Sequence, residues 1–323
     1  MKTEILDLRK DPDKHLAKAL EILNKGGIIA FPTETVYGLG AKISNTEACK
    51  KIFSAKNRPQ DNPLAAHISK PEQVEKYIKD VPDSFYKLAE KFLPGPLSVI
   101  MEKKDFVNDI ITGGLKTLSI RFPQNQYALR LINEAGEPLA ATSANKSGRP
   151  SPITASHVFS DLSGIIPLIL DGGPAQFGYE STVLSLTGDK PLILRPGVIT
   201  IEEIAETLGL ETDQIYKGPE NEIHDKYKHY SPEAELVILN DIYEIDDFLN
   251  ENKNRKIMLL SNKQPDCDGY TAMPLNAATL YANFRIADQE LFDTVVILVD
   301  DSVRNDKVLY HRISYARSSN RII

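Results

Sequence analysis

Short apolar runs, each closed by a turn residue and separated from the next by a segment of helical period, recur along the whole chain. That alternation limits the chain to α/β folds. Runs at 28–31, 64–68, 97–101, 117–122, 138–141, 167–170, 182–186 and 192–194 read as strands. Leu16, Ala19, Leu20 and Leu23 recur at helical spacing, and Gly26-Gly27 stops that helix. Asn45 is placed to cap a helix that ends before Pro59, and further helical patterns cover 71–79, 83–93, 124–135 and 154–162. A Thr200/Glu203 capping box opens a last helix, which Gly209 closes.

Residues 211–235 lack clean periodicity and read as a linker. From residue 236 a regular order returns: strand 236–239, helix 242–252, strand 256–260, helix 276–287, strand 294–299 and helix 307–318. This spacing predicts a small parallel sheet with helices packed on it. The expected division is a catalytic α/β domain over 1–210, a linker over 211–235 and a smaller α/β domain over 236–323.

The totals exclude several classes. The formal net charge is −7, with −1 carried by residues 1–212 and −6 by residues 213–323. Such a chain lacks the field that draws proteins onto nucleic acid or anionic membrane. Two cysteines, Cys49 and Cys267, are too few for a disulfide framework or a cysteine-rich zinc site. Residues 1–15 are charged and do not resemble a signal peptide, and no run approaches the ~20 apolar residues of a membrane helix. The cytoplasm is the expected compartment.

No GxxxxGK[ST] loop occurs, and Gly38-Leu39-Gly40 does not continue into GxGxxG. His224 and His229 read as solvated linker residues rather than as metal ligands, and no metal site is expected. Four polar stretches stand at the ends of apolar strands or helices, where α/β proteins place ligands. The first is Pro32-Thr33-Glu34-Thr35-Val36-Tyr37-Gly38, which an ordinary capped turn would also explain. The second is Lys56-Asn57-Arg58-Pro59 with Asn62, whose cations equally suit a helix C-terminus. In the third, strand alternation puts Thr117, Ser119 and Arg121 on one face and Leu118, Ile120 and Phe122 on the other. A buried Arg121 needs an anion, and a carboxylate or phosphate ligand would serve. The fourth, Ala140-Ala141-Thr142-Ser143-Ala144-Asn145 followed by Ser147 to Pro152, is small and hydroxyl-rich, suited to a phosphate or to a flexible loop.

Taken in order, these stretches resemble the YrdC-like domain of the threonylcarbamoyl-AMP synthase family. The match runs through Phe31–Gly40, Lys56-Asn57-Arg58-Pro59, Asn62-Pro63-Leu64, His67, Pro94-Gly95-Pro96-Leu97 and Ser143-Ala144-Asn145. It continues through Arg149-Pro150-Ser151-Pro152, Asp171-Gly172-Gly173, Glu180-Ser181-Thr182-Val183 and Leu194-Arg195-Pro196-Gly197. Lys226-Tyr227-Lys228-His229-Tyr230-Ser231-Pro232 resembles the linker of the long, two-domain form, although the usual Pro-Gly-Met lead is replaced by Glu222–Asp225.

The resemblance implies a twisted mixed sheet with a deep cavity, followed by a Rossmann-like accessory domain. It also implies that threonine is held by Thr35, His67, Arg121, Ala141 and Ser181. ATP would be held by Arg58, Asn62, Thr117, Ser143, Asn145, Ser151, Arg195 and Tyr230. Lys56 and Arg58 would be catalytic, with Mg2+ on the phosphates and the linker as a lid. The implied substrates are L-threonine, bicarbonate or CO2, and ATP. The implied partners are downstream tRNA threonylcarbamoyltransferase proteins. An RNA-binding module is the competing reading; against it stand the acidic balance and the absence of Trp. Any RNA contact is expected to be weak.

Overall fold

The computed structural model describes residues 1–217, 229–263 and 268–318. The expected lid segment 218–228, with His224 and Lys226-Tyr227-Lys228, and Cys267 therefore lie outside the described residues. Two compact units result. One comprises 1–146 and 151–217; the other comprises Ser147–Pro150 and the described residues from 229 onward.

The first unit is built on one mixed sheet of eleven strands among the described residues. They are β1 (Glu4–Asp7), β2 (Ile29–Phe31), β3 (Gly38–Lys42), β4 (Ala65–His67), β5 (Leu97–Glu102), β6 (Thr117–Arg121), β7 (Leu139–Ser143), β8 (Leu168–Asp171), β9 (Thr182–Ser185), β10 (Leu192–Arg195) and β11 (Tyr216–Lys217). Their spatial order is β1-β8-β2-β3-β7-β4-β6-β5-β9-β10-β11. Three of these strands are not evident from periodicity; the shortest, β11, lies within the expected linker and pairs in parallel with β10. β1 lies in the charged N-terminal stretch and pairs in parallel with β8. β3 follows the hydroxyl-rich turn and is two-fifths glycine, a poor strand former.

Register and alternation divide the sheet into two unlike faces. Ala30, Leu39, Ala41, Ala66, Val99, Met101, Leu118, Ile120 and Leu184 enter one large core with helices Thr46–Lys56 and Asp83–Phe92. On the opposite face, Ile29, Phe31, Leu139, Ala141, Leu168 and Leu170 pack under helices Pro12–Asn24 and Gln126–Ala135. The rest of that face carries Ala65, His67, Ser98, Thr117, Ser119 and Arg121, which the β4–β6 and β5–β6 registers place side by side. Small and polar residues there replace the apolar layer a two-sided sheet normally carries.

Helix ends follow their sequence signals. Asn45 accepts from the Ala48 amide, Thr154 from His157, and the Thr200/Glu203 box is formed in both directions. The segment 71–79 is a 3₁₀ turn, Pro71–Gln73, followed by a single α-turn, Val74–Tyr77, rather than one helix.

The second unit has four parallel strands: β12 (Glu235–Leu239), β13 (Ile257–Leu260), β14 (Thr271–Met273) and β15 (Thr294–Leu298). Their order is β12-β15-β13-β14, and Ile245, Leu249, Ile257, Leu259, Val296 and Leu298 form a core of their own. β14 is the one strand the sequence pattern omits; two of its three side chains are exposed, so it carries no apolar signature.

Candidate active site

Arg121 ends β6, and its register partners are His67 on β4 and Ser98 on β5. The guanidinium is buried. Nη1 donates to the carbonyls of Gly95 and Leu97, and Nη2 forms an ion pair with Glu34. The anion required by a buried arginine is thus supplied by the chain itself, where the sequence reading had a ligand in that role. A guanidinium has five N–H donors; these contacts leave capacity for a ligand carboxylate. Burial pulls the Arg121 guanidinium below its usual range, and the Glu34 carboxylate opposes that pull. Glu34 is fixed further by the Gln124 amide, which donates to Oε2 at 3.1 Å.

His67 is held beside Arg121. Burial, reinforced by the Arg121 charge, depresses its pKa to about 3, so the imidazole is neutral at physiological pH. Its ring meets Phe31 edge-on at 5.9 Å. Phe31 lies where it does because Gly38 and Gly40 lack side chains: a Cβ on Gly40 would stand 2.9 Å from the Phe31 ring and 3.2 Å from Ala141.

From Arg121 the polar belt continues across the sheet. The Ser98 hydroxyl is 2.8 Å from that of Ser181, and Arg195 donates to the Ser181 carbonyl at 2.9 and 3.1 Å. Gly197 permits this packing, since a Cβ there would stand 2.3 Å from the Thr182 nitrogen. Glu180, next in sequence to Ser181, accepts from the Ser151 hydroxyl. Thr33 caps the turn at Glu34, its hydroxyl accepting from the Thr35 and Val36 amides, and the Thr35 hydroxyl lies 3.0 Å from that of Thr33. Ala141 is the register partner of Ala65, two residues before His67. Thr35, His67, Arg121, Ala141, Ser181, Ser151 and Arg195 are thereby gathered on and around one end of the central strands.

Lys56 ends helix Thr46–Lys56 and is 1% exposed. Its ammonium donates to the Ser143 carbonyl, to the Asn145 carbonyl at 2.6 Å and to Asn145 Oδ1 at 3.4 Å; Ser143 Oγ donates to the same Oδ1 at 2.6 Å. This cluster joins the hydroxyl-rich turn, because the Ala144 amide donates to the Tyr37 carbonyl and the Tyr37 amide to the Pro152 carbonyl, both at 2.8 Å. Arg58 follows the left-handed cap Asn57 and donates to the Asn62 carbonyl, Asn62 Oδ1 and the Pro63 carbonyl. Arg58 and Asn62 thus form a second small cluster. Thr117 stands at the far end of β6 from Arg121, about 13 Å along the strand. Tyr230 belongs to the second unit, where its ring stacks on Tyr281 at 5.2 Å.

Comparison with known proteins gives this site a family. A profile described as "Telomere recombination" matches residues 21–197, and one described as "Threonylcarbamoyl-AMP synthase, C-terminal domain" matches 199–313. The threonylcarbamoyl-AMP synthase of Bacillus subtilis is 39% identical over 91% of this chain and 90% of its own length. The chain belongs to the threonylcarbamoyl-AMP synthase family. The Pyrococcus abyssi member is 44% identical over 68% of this chain and 66% of its own length. The crystal structure of P. abyssi Sua5 complexed with L-threonine superposes with a TM-score of 0.88 at 33% identity, covering 98% of both chains. A putative threonylcarbamoyl-AMP synthase of Mycobacterium tuberculosis is 32% identical and is covered over 99% of its length by 66% of this chain. A two-unit chain with a large mixed sheet and a smaller parallel one is thus the long form within the family.

Sequence reasoning missed Glu34 as the partner of Arg121, and Ser98 as the link to Ser181. A carboxylate between two threonines at the end of an apolar strand was the available signal for Glu34. For Ser98 there was none, since a lone serine within an apolar strand is unremarkable. Tyr37 is legible in the sequence only as one residue of the hydroxyl-rich turn. Its hydroxyl ties the turn to the Asp171-Gly172-Gly173 stretch, donating to the Gly173 carbonyl at 2.6 Å and accepting from the Gly172 amide at 3.2 Å.

Proposed function

We propose that this chain converts L-threonine, bicarbonate or CO2, and ATP into L-threonylcarbamoyl-adenylate and pyrophosphate. The threonine amine adds to CO2, losing a proton, to give a carbamate. A carbamate oxygen then attacks the α-phosphorus of ATP, and the bond to pyrophosphate breaks. No protein nucleophile takes part; the chain has only to orient two anions and balance the charge that develops. The observation that carries this reading is the continuous polar belt from Glu34–Arg121 through Ser98–Ser181 to Arg195.

In this reading Arg121 receives the threonine carboxylate, with Thr35, neutral His67, the Ala141 backbone and Ser181 around the amino acid. Lys56 and Arg58 face the phosphates. Asn62, Thr117, Ser143, Asn145, Ser151, Arg195 and Tyr230 complete the nucleotide site. Among the described residues no group of three or more His, Cys, Asp or Glu is placed to hold a metal. Mg2+ would arrive on the phosphates of ATP. The product would pass to tRNA threonylcarbamoyltransferase proteins for threonylcarbamoyladenosine formation beside the anticodon, in the cytoplasm. No helix among the described residues is long and apolar enough to cross a membrane.

Mass spectrometry of the product from ATP, bicarbonate and labelled threonine tests this directly. Pyrophosphate release should require threonine and bicarbonate together; release that ignores either would rule the reaction out. Arg58→Ala should lower adenylate formation by about 100-fold or more, the usual cost of one key electrostatic donor.

A further inference from the structure

Helix Ala277–Gln289 of the second unit carries Tyr281, Arg285 and Asp288 at i, i+4 and i+7, on one face. Tyr281 and Arg285 are buried, and the Asp288 side chain is 4% exposed. Between them they hold two pieces of chain. The Tyr281 ring stacks on that of Tyr230 at 29°. Arg285 Nη2 donates to the Pro150 carbonyl. Asp288 Oδ2 accepts from Arg149 Nη2 at 2.9 Å, and its Oδ1 accepts from the Glu233 amide at 2.7 Å and the Ala234 amide at 3.3 Å.

The segments gripped by this face also hold each other. The Ser231 amide donates to the Gly148 carbonyl at 2.9 Å, and Arg149 pairs with Glu233 as well as with Asp288. Stretches 147–150 and 230–234, distant in sequence, are therefore joined to one another and laid on one helix. Tyr230 adopts the left-handed backbone, φ 57°, which a tyrosine seldom occupies without strong support.

Buried charged pairs add little net stability compared with apolar packing, and a well-attested use is to specify one arrangement. What this arrangement specifies is the path of two nucleotide-side segments. Ser147–Pro150 is bonded to Lys146, the neighbour of Asn145, on one side and to Ser151 on the other, and Tyr230 is itself in the other segment. We propose that Asp288, Arg285 and Arg149 are positioning residues for the ATP half of the reaction. The second unit would thus set affinity for the nucleotide while leaving threonine recognition to the first. This rests on the synthase reading given above.

The test uses the full chain. Asp288→Asn keeps the side-chain size and removes its charge. It is expected to raise KM for ATP about tenfold or more, since small misplacements of a site are costly, while KM for threonine stays within about twofold. The ligand-free melting temperature should move by only a few degrees. Arg149→Lys, at a side chain one-quarter exposed, retains charge but loses the planar fork; it should show the same split and serves if Asp288→Asn does not fold. An unchanged KM for ATP in folded variants overturns the proposal, as does an equal rise in KM for both substrates. If the wild type releases no threonine-dependent pyrophosphate, the synthase reading fails instead. Calorimetric ATP binding by wild type and variants then decides the positioning claim separately: equal affinities overturn it and a tenfold loss supports it.

Discussion

Arg121 and Glu34 form a pair that neither residue can leave without cost. Both side chains are less than 5% exposed, and a charge stripped of its partner at such depth costs several kcal/mol. Glu34→Gln should therefore lower unfolding free energy by about 3 kcal/mol in urea denaturation, and weaken threonine binding by disturbing Arg121. His67 makes a pH-dependent contribution of definite sign. Its folded pKa, about 3, lies below its ordinary value of 6.5, so the unfolded chain binds the extra proton between those limits. Stability from this group is complete above pH 6.5 and falls as pH drops toward 3, by about 1.4 kcal/mol per unit. Comparing wild type with His67→Gln at pH 7 and pH 5 checks this: the wild type should lose more stability than the variant over that interval.

At the scale of elements, β3 is a strand whose glycines serve its neighbour. A methyl group at Gly40 meets the ring of Phe31 and the Cβ of Ala141. Gly40→Ala should therefore destabilise the fold by about 1–3 kcal/mol, the range for overpacking a filled site, and a thermal melt would register it. The same element shows what periodicity can and cannot reveal. Strands with one apolar face, such as β6, were legible because Leu118 and Ile120 alternate with polar residues. β3 was not, because glycine contributes nothing to a hydrophobic pattern, and β1 was not, because its pairing partner β8 is some 160 residues away. The site follows the same division. Residue types that bind anions were visible as motifs, whereas the Glu34–Arg121 pairing spans 87 positions and appears only once the sheet is assembled.

For the whole molecule, charge and connectivity matter more than any single contact. With a net charge of −7, concentrated in residues 213–323, the chain should bind tRNA no more tightly than about 10⁻⁵ M at physiological salt. Filter binding across a salt series would check this; a salt-insensitive nanomolar complex would contradict it. The assignment of Ser147–Pro150 to the second unit has a consequence for recombining family members. The natural cut point is not a single position near residue 210, because four residues upstream travel with the C-terminal half. Chimeras that exchange everything after 210 would pair a foreign helix with a native loop, and would need 147–150 grafted alongside.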